Sequence, residues 1–514
     1  MEYPKKTIDG INGKNILVIS FTGSSPHLET SLEICRRLSK ENKISYIHLG
    51  LHVPRPTLYP ANPIKRKTQL LVRINRAKNY LEKYCNSDNP IKWIKTRNIN
   101  KKVNKQLKAY HQTLRENDTT NLETLKHIHF LGYNVGIGIT STIISHVRNT
   151  DPFPLNIKNK VECNQLYLSS IKAILFAEEI LDESHNYDAI VLLNGRFACE
   201  NAIKQVAAKK MLDVFFHECG PPYPQERFFF EKYMPHNFEE RQKEIKTLQS
   251  ELDNKLIHQV GKDFFYRKTN GEGVYEESYV GGQLKLISSK LQEILNNCEK
   301  NKTKVISYFT SNDDEFQFIT ADSTRYPDWG NQRSAIDKIA DIAKSLGLFF
   351  IVRVHPNLKN KNIIEQKRWE ELGKKIIHKG FYWISHNDLE PTYQLIKKSD
   401  MIITSGSTVG IEAISLGKPS IALTKCFYDG VVPEVKLCMS PEKLIKILEK
   451  TDSFDAPDKT SSYIYGTWVM LNATKFLYFN HSKPGFGEMK EGVRIASAGY
   501  VQKLMTWIKS QVQV

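Results

Sequence analysis

Short apolar runs recur along the chain, each closed by a polar turn and followed by a helical pattern. NILVISF (15–21) is a β-rich run ending in TGSSP. A helical period follows over 28–38, and ISYIHL (44–49) is a second strand, which makes a βαβ opening with a Gly/Ser loop at the carboxyl end of its first strand. FLGYNVGIGITSTIIS (130–145) carries no charge but is rich in Gly, Ser, Thr and Asn, so it predicts a buried segment at a turn rather than a membrane span. Downstream come a helix over 164–183, the strand DAIVLLN (188–194), a loop and helix, and the strand DVFFHE (213–218). CGPPYP then forbids a helix. Residues 238–301 read as charged helix and end in the boundary-like NNCEKNKTK.

A second series starts at KVISYF (304–309) and continues through LFFIVRV (348–354), DMIITS (400–405) and PSIALT (419–424), with helices between. Two such series predict an α/β protein of two Rossmann-like domains facing a cleft. Residues 1–300 would form the acceptor domain and 301–514 the donor domain, the final helices returning to the first.

Composition sharpens this picture in two places. Lys plus Arg number 73 against 56 Asp plus Glu, a net charge of +17, which favours anionic partners. Fourteen of the cations fall within 61–110, beside only Glu82 and Asp88. KWIKTRNINKKVNKQLKAYHQ there reads as a basic helix, either plainly solvated or a docking face for an anionic acceptor or the inner membrane surface. The eight cysteines show no C-x-x-C spacing, so a zinc ribbon or dithiol site is not expected, and no metal is. MEYPKKTIDG has no apolar core of a secretory leader, so a cytoplasmic protein with reduced thiols is expected. G-x-G-x-x-G after the first strand and G-x-x-x-x-G-K-[ST] are both missing, which disfavours a dinucleotide oxidoreductase and a P-loop NTPase.

The candidate chemistry lies at strand ends. After 400–405, the turn Ser405, Gly406, Ser407, Thr408 leads into a helix whose start is suited to phosphate, with a Ser or Thr cap and with Glu412 near the first turn for ribose hydroxyls. After 348–354, Arg353 and His355 share a strand face, and Pro356 fixes the loop exit; a cation beside an imidazole suits a phosphate leaving group. Asn194 and Arg196 follow one strand of the first series, and His217 and Glu218 end the next. Asp313 and Asp314 lie beyond the first strand of the second series as candidate acid/base groups. In the first loop, Gly23 allows close backbone approach, and Ser24 and His27 stand at the cleft.

The arrangement R-x-H-P followed by S-D-x-x-I-T-x-x-S-T-x-x-I-E-A-x-x-x-G-K-P resembles the carboxyl-terminal domain of GT-B glycosyltransferases. It is most similar to capsule polysaccharide biosynthesis proteins and bacterial sialyl- and Kdo-transferases. The N-G-R segment at Asn194–Arg196 and the H-E pair at His217–Glu218 look like segments of the same proteins. The resemblance covers residues 188–225 and 304–425. It implies that His355, Pro356, Ser407 and Thr408 hold the nucleotide of an activated sugar, with a CMP-sugar favoured, and that His217 or Glu218 deprotonates an acceptor hydroxyl. It further implies a surface or capsular glycan, lipid-linked or anionic, as acceptor, with no cofactor, metal or nucleic acid. A CDP-glycerol-type glycerophosphotransferase, a UDP-sugar epimerase and a non-catalytic basic scaffold are the alternatives.

Overall fold

The computed structural model describes residues 8–21, 25–49, 63–85, 89–94, 103, 121–147, 157–182, 186–219, 227–271, 286–313, 316, 325–361, 363–450, 454–483 and 486–495. Its first sheet contains β1 (Asn15–Ser20), β2 (Lys43–His48), β3 (Lys92–Trp93), β6 (Ala189–Leu193), β7 (Asp213–Cys219) and β8 (Arg227–Glu231), while β4 (His129–Phe130) and β5 (Tyr133–Asn134) form a separate hairpin. The second sheet contains β9 (Val305–Phe309), β10 (Phe349–Arg353), β11 (Tyr382–Ile384), β12 (Met401–Thr404), β13 (Ser420–Ala422) and β14 (Val435–Leu437). β15 (Thr474–Lys475) rejoins the first sheet, ahead of a last hairpin of β16 (Phe479–Lys483) and β17 (Phe486–Met489).

The second sheet runs β11-β10-β9-β12-β13-β14 and is parallel throughout. Its order reverses between β9 and β12, the doubly wound topology whose ligands gather outside the carboxyl ends at the reversal. The first sheet runs β15-β8-β7-β6-β1-β2-β3 and reverses between β1 and β6; β8 and β15 are its antiparallel edge. Both sheets are covered on both faces, which is why their strands read as unbroken apolar runs. Ile16 and Val18 enter one core, while Leu17 and Ile19 enter the core on the opposite face. In the second half Ile306 and Tyr308 oppose Val305 and Phe309 in the same way.

A fifth core joins the halves, with Phe229, Ile245 and Phe264 packed beside Ile411, Ile414, Tyr428 and Trp468. The Tyr463–Asn472 helix lies on the Asn254–Thr269 helix. They meet at Gly261 and Gly466, where a Cβ on Gly261 would stand 2.3 Å from the Tyr463 carbonyl, so only glycine permits that approach. Beyond it, buried Glu33 accepts the backbone N–H groups of Leu477 and Tyr478, both at 2.7 Å, fastening the returning chain to the His27–Leu38 helix. Two doubly wound α/β halves make the GT-B fold expected from the sequence.

The basic segment departs from its expected form. Its described helix is Pro63–Tyr84, and Lys92–Trp93 is a strand against β2, with Trp93 packed on Tyr46 at 4.8 Å between ring centroids. An aromatic beside a sheet edge gains more burial there than on a solvated helix. Residues 95–102 and 104–110 lie outside the described residues. Among the described residues, no helix is long and apolar enough to cross a membrane.

Candidate functional site

The reversal point of the second sheet is built from buried hydroxyls. Tyr308 on β9 hydrogen-bonds Ser405 at the end of β12, and Ser311 Oγ donates to the Ser405 carbonyl at 3.1 Å. Arg325 donates to the same carbonyl. The two loops at the reversal are therefore tied together from below. Gly406 has φ +79°, and a Cβ there would meet Thr424 Oγ1 and Cys426 Cβ at 3.1 Å, so the turn needs glycine for both backbone and space.

Ser407 and Thr408 are half-buried above this base. The Tyr428 hydroxyl donates to the Ser407 carbonyl. The expected cap takes a different form: Thr408 is itself helical and makes no side-chain cap bond, and Ser407 Oγ accepts the Val409 N–H at 3.4 Å. Glu412 is also placed differently from the ribose-binding expectation. It is buried, and Lys268 Nζ lies 2.5 Å from its carboxylate and 3.4 Å from Thr408 Oγ1. That lysine belongs to the Asn254–Thr269 helix of the first half, so the turn receives a cation from across the molecule.

His355 stands at the end of β10. Its backbone N–H donates to Thr310 Oγ1 at 2.7 Å, and its Nδ1 accepts the Asn357 N–H at 3.1 Å, capping the short helix Pro356–Asn360. In a neutral ring with Nδ1 accepting, the proton sits on Nε2, which is then a hydrogen-bond donor. Arg353 is buried and turned to backbone carbonyls, donating to Val354 at 3.1 Å and Ser385 at 3.0 Å. Its guanidinium fastens the ends of β10 and β11.

Asp313 serves as a hub. Buried, it accepts from Arg325 Nε at 2.9 Å, Tyr326 OH at 2.8 Å, Gln332 Nε2 at 2.7 Å and Ser311 Oγ at 3.2 Å. A carboxylate so engaged organises the loop. Asp314 lies outside the described residues, as do Gly23 and Ser24.

In the first half, β6 ends at Asn194 and Gly195, both at positive φ. Asn194 Nδ2 donates to Glu218 Oε2 at 2.5 Å. Glu218 Oε1 lies 3.7 Å from His27 Nδ1, and Cys219 Sγ lies 3.9 Å from the same nitrogen. His217, the neighbouring candidate, points into the His27–Leu38 helix. It is 1% exposed, its Nε2 sits 3.3 Å from Ser31 Oγ, and burial with the nearby His27 pushes it down to about 3. It is therefore neutral and covered by the His27–Leu38 helix, leaving Glu218 as the accessible member of the pair.

The two carboxyl edges meet through a chain of contacts. Burial, Arg196 and Arg241 hold His236 well below its ordinary range, and Arg196 also lies over the Phe197 ring at 4.6 Å. His236 packs on Phe316 at 5.5 Å, and Phe316 lies under the Arg325 guanidinium at 5.0 Å. Arg325 and Lys268, the two cations at the turn, were not legible in the sequence. Arg325 sits in DSTRYPDWG and Lys268 in a charged helix, and neither segment carries a motif.

Beside this corner, Lys204 is half-buried with Met234 Sδ 3.2 Å from its Nζ, and desolvation of that end lowers its ammonium to about 8. The unfolded chain binds that proton more tightly, so the group destabilises the fold at pH values below 8. The effect fades as pH rises and ends above the unfolded value near 10.5. Lys204→Met is expected to stabilise the protein by up to about 3 kcal/mol at neutral pH and by little near pH 10.5. Denaturant titrations of both proteins across that range check it.

No family model matches the chain, and no curated protein does. Among solved structures, the β-Kdo 2,7-transferase KpsC of Thermosulfurimonas dismutans is 15% identical, with 52% of this chain and 78% of that one covered and a TM-score of 0.33. The UDP-GlcNAc 2-epimerase of Methanocaldococcus jannaschii, in complex with UDP-GlcNAc and UDP, is 14% identical over 88% of this chain and 98% of that one, with a TM-score of 0.28. The N-terminal domain of trehalose-6-phosphate phosphatase from Candida albicans is 9% identical over 91% and 97%, with a TM-score of 0.36.

Proposed function

We propose that the protein is a glycosyltransferase that moves a sugar from a nucleotide donor, a CMP-activated acidic sugar such as Kdo or sialic acid, to a hydroxyl of an anionic or lipid-linked surface glycan. The observation that carries this reading is the reversal point between β9 and β12. A glycine turn braced from beneath presents the hydroxyls of Ser407 and Thr408 beside Lys268 at the end of β12, while the imidazole of His355 stands past the end of β10, one strand (β9) away along the same carboxyl edge. Hydroxyls, an N–H donor and a cation suit a phosphate that gains charge as the glycosidic bond breaks. In this reading the acceptor oxygen bonds to the anomeric carbon while the bond to the phosphate oxygen breaks. The electron pair leaves with CMP, and the acceptor proton passes to the polar corner of Asn194, Glu218 and His27. The basic segment 61–110 attracts the anionic acceptor, and the reaction needs no organic cofactor.

The test is incubation of the full chain with CMP-, UDP- and GDP-sugars and CDP-glycerol, with and without acceptor glycans. Release of CMP coupled to glycan growth supports the reading. Glycerophosphate transfer from CDP-glycerol, or isomerisation of a UDP-sugar with no acceptor present, overturns it.

A further inference from the structure

The corner where β7 ends holds three different donor types around one point. His27 Nδ1 comes from the first turn of the His27–Leu38 helix; Glu218 Oε1 and Cys219 Sγ come from successive residues of β7. The imidazole nitrogen is 3.7 Å from the carboxylate and 3.9 Å from the sulfur, and all three donor atoms lie within 4.8 Å of one another. At 3.7 Å, nitrogen and oxygen are too far apart for a direct hydrogen bond. The separations match another geometry. In a tetrahedral zinc site, bond lengths of about 2.0–2.3 Å give ligand-to-ligand edges of about 3.3–3.6 Å. The corner is thus within roughly half an ångström of such a site along the two measured edges.

We propose that His27, Glu218 and Cys219 bind one divalent cation of borderline softness, of the zinc type. A carboxylate and a thiolate would balance a dication, and imidazole completes a donor set that hard cations such as magnesium do not favour. Asn194 holds the far oxygen of Glu218 at 2.5 Å and so fixes the carboxylate, the orienting role that outer hydrogen bonds play around metals. All three side chains are only partly buried, which leaves a fourth position for water or a hydroxyl of a bound sugar. This corner is also the one that receives the acceptor proton in the glycosyl-transfer reading, and a bound cation would occupy the same lone pairs, but metal binding is read without turnover, so the failure of either reading is distinguishable from that of the other.

The full chain, stripped with a chelator, is titrated with Co²⁺ alone. One equivalent should bind, giving tetrahedral-intensity visible bands and a thiolate-to-cobalt charge-transfer band in the near ultraviolet, both erased by Zn²⁺. Cys219→Ser should remove the charge-transfer band and weaken binding at least about tenfold. His27→Ala should weaken it similarly, and Cys85→Ser, at the other partly exposed cysteine, should leave the spectrum unchanged. Circular dichroism of the metal-free variants verifies folding, and the near-isosteric Cys219→Ser decides the matter if His27→Ala misfolds. A wild-type protein with no stoichiometric thiolate band, or a band that survives Cys219→Ser or vanishes in Cys85→Ser, overturns the site.

Discussion

His355→Asn is expected to fold normally and lose nearly all turnover. The imidazole has two separable tasks. Its Nδ1 caps the Pro356–Asn360 helix by accepting the Asn357 N–H, and its Nε2–H is the donor assigned to the departing phosphate. Asparagine is among the best capping residues, so its side-chain oxygen can take over the first task. Its shorter side chain does not extend to the position of Nε2. Loss of one donor aimed at developing negative charge costs about 10²–10³ in kcat. His355→Ala should lose that same factor together with about 1 kcal/mol of stability from the missing cap. Nucleotide-release kinetics and thermal melts on the two variants separate the tasks. If His355→Asn keeps wild-type kcat, the imidazole has no role at the phosphate.

How far this site was legible follows from what each signal encodes. Strands 15–20, 189–193, 305–309 and 401–404 are short apolar runs buried on both faces, and that pattern is local, so the α/β alternation and the two halves could be read directly. The same locality located the turn Ser405–Thr408 and the His355–Pro356 exit. Burial and partnership are not local. Glu412 looks like a first-turn carboxylate until the Asn254–Thr269 helix brings Lys268 to it. Arg353 looks like a free cation until β11 arrives with the Ser385 carbonyl. His217 and Glu218 are neighbours in sequence, but the His27–Leu38 helix covers the imidazole through Ser31 and leaves only the carboxylate open on the corner. The reversal between β9 and β12 depends on strand order, which no single strand encodes.

Asp313→Leu is expected to lower stability and activity together, because the carboxylate holds a buried cation rather than moving a proton. Arg325 is itself buried, with its Nε 2.9 Å from Asp313 and a second donor on the Ser405 carbonyl. Removing one partner of such a pair strands the other charge, at a cost of about 3–5 kcal/mol. In a protein of this size that lowers Tm by about 3–5 °C. Asp313→Asn keeps an acceptor oxygen for Tyr326 and Gln332 but loses the charge, so it should fall between wild type and Asp313→Leu in both Tm and turnover. A catalytic acid or base would behave differently: Asp313→Asn would keep its Tm and lose kcat alone. The double variant Asp313→Leu with Arg325→Met gives the sharper reading. With no stranded charge, much of the lost stability should return, and the interaction energy of the cycle should exceed about 1 kcal/mol in magnitude. The turn would still lack the Arg325 bond to the Ser405 carbonyl, so turnover should stay low while Tm recovers, which places the Asp313–Arg325 pair beneath the phosphate turn as its brace.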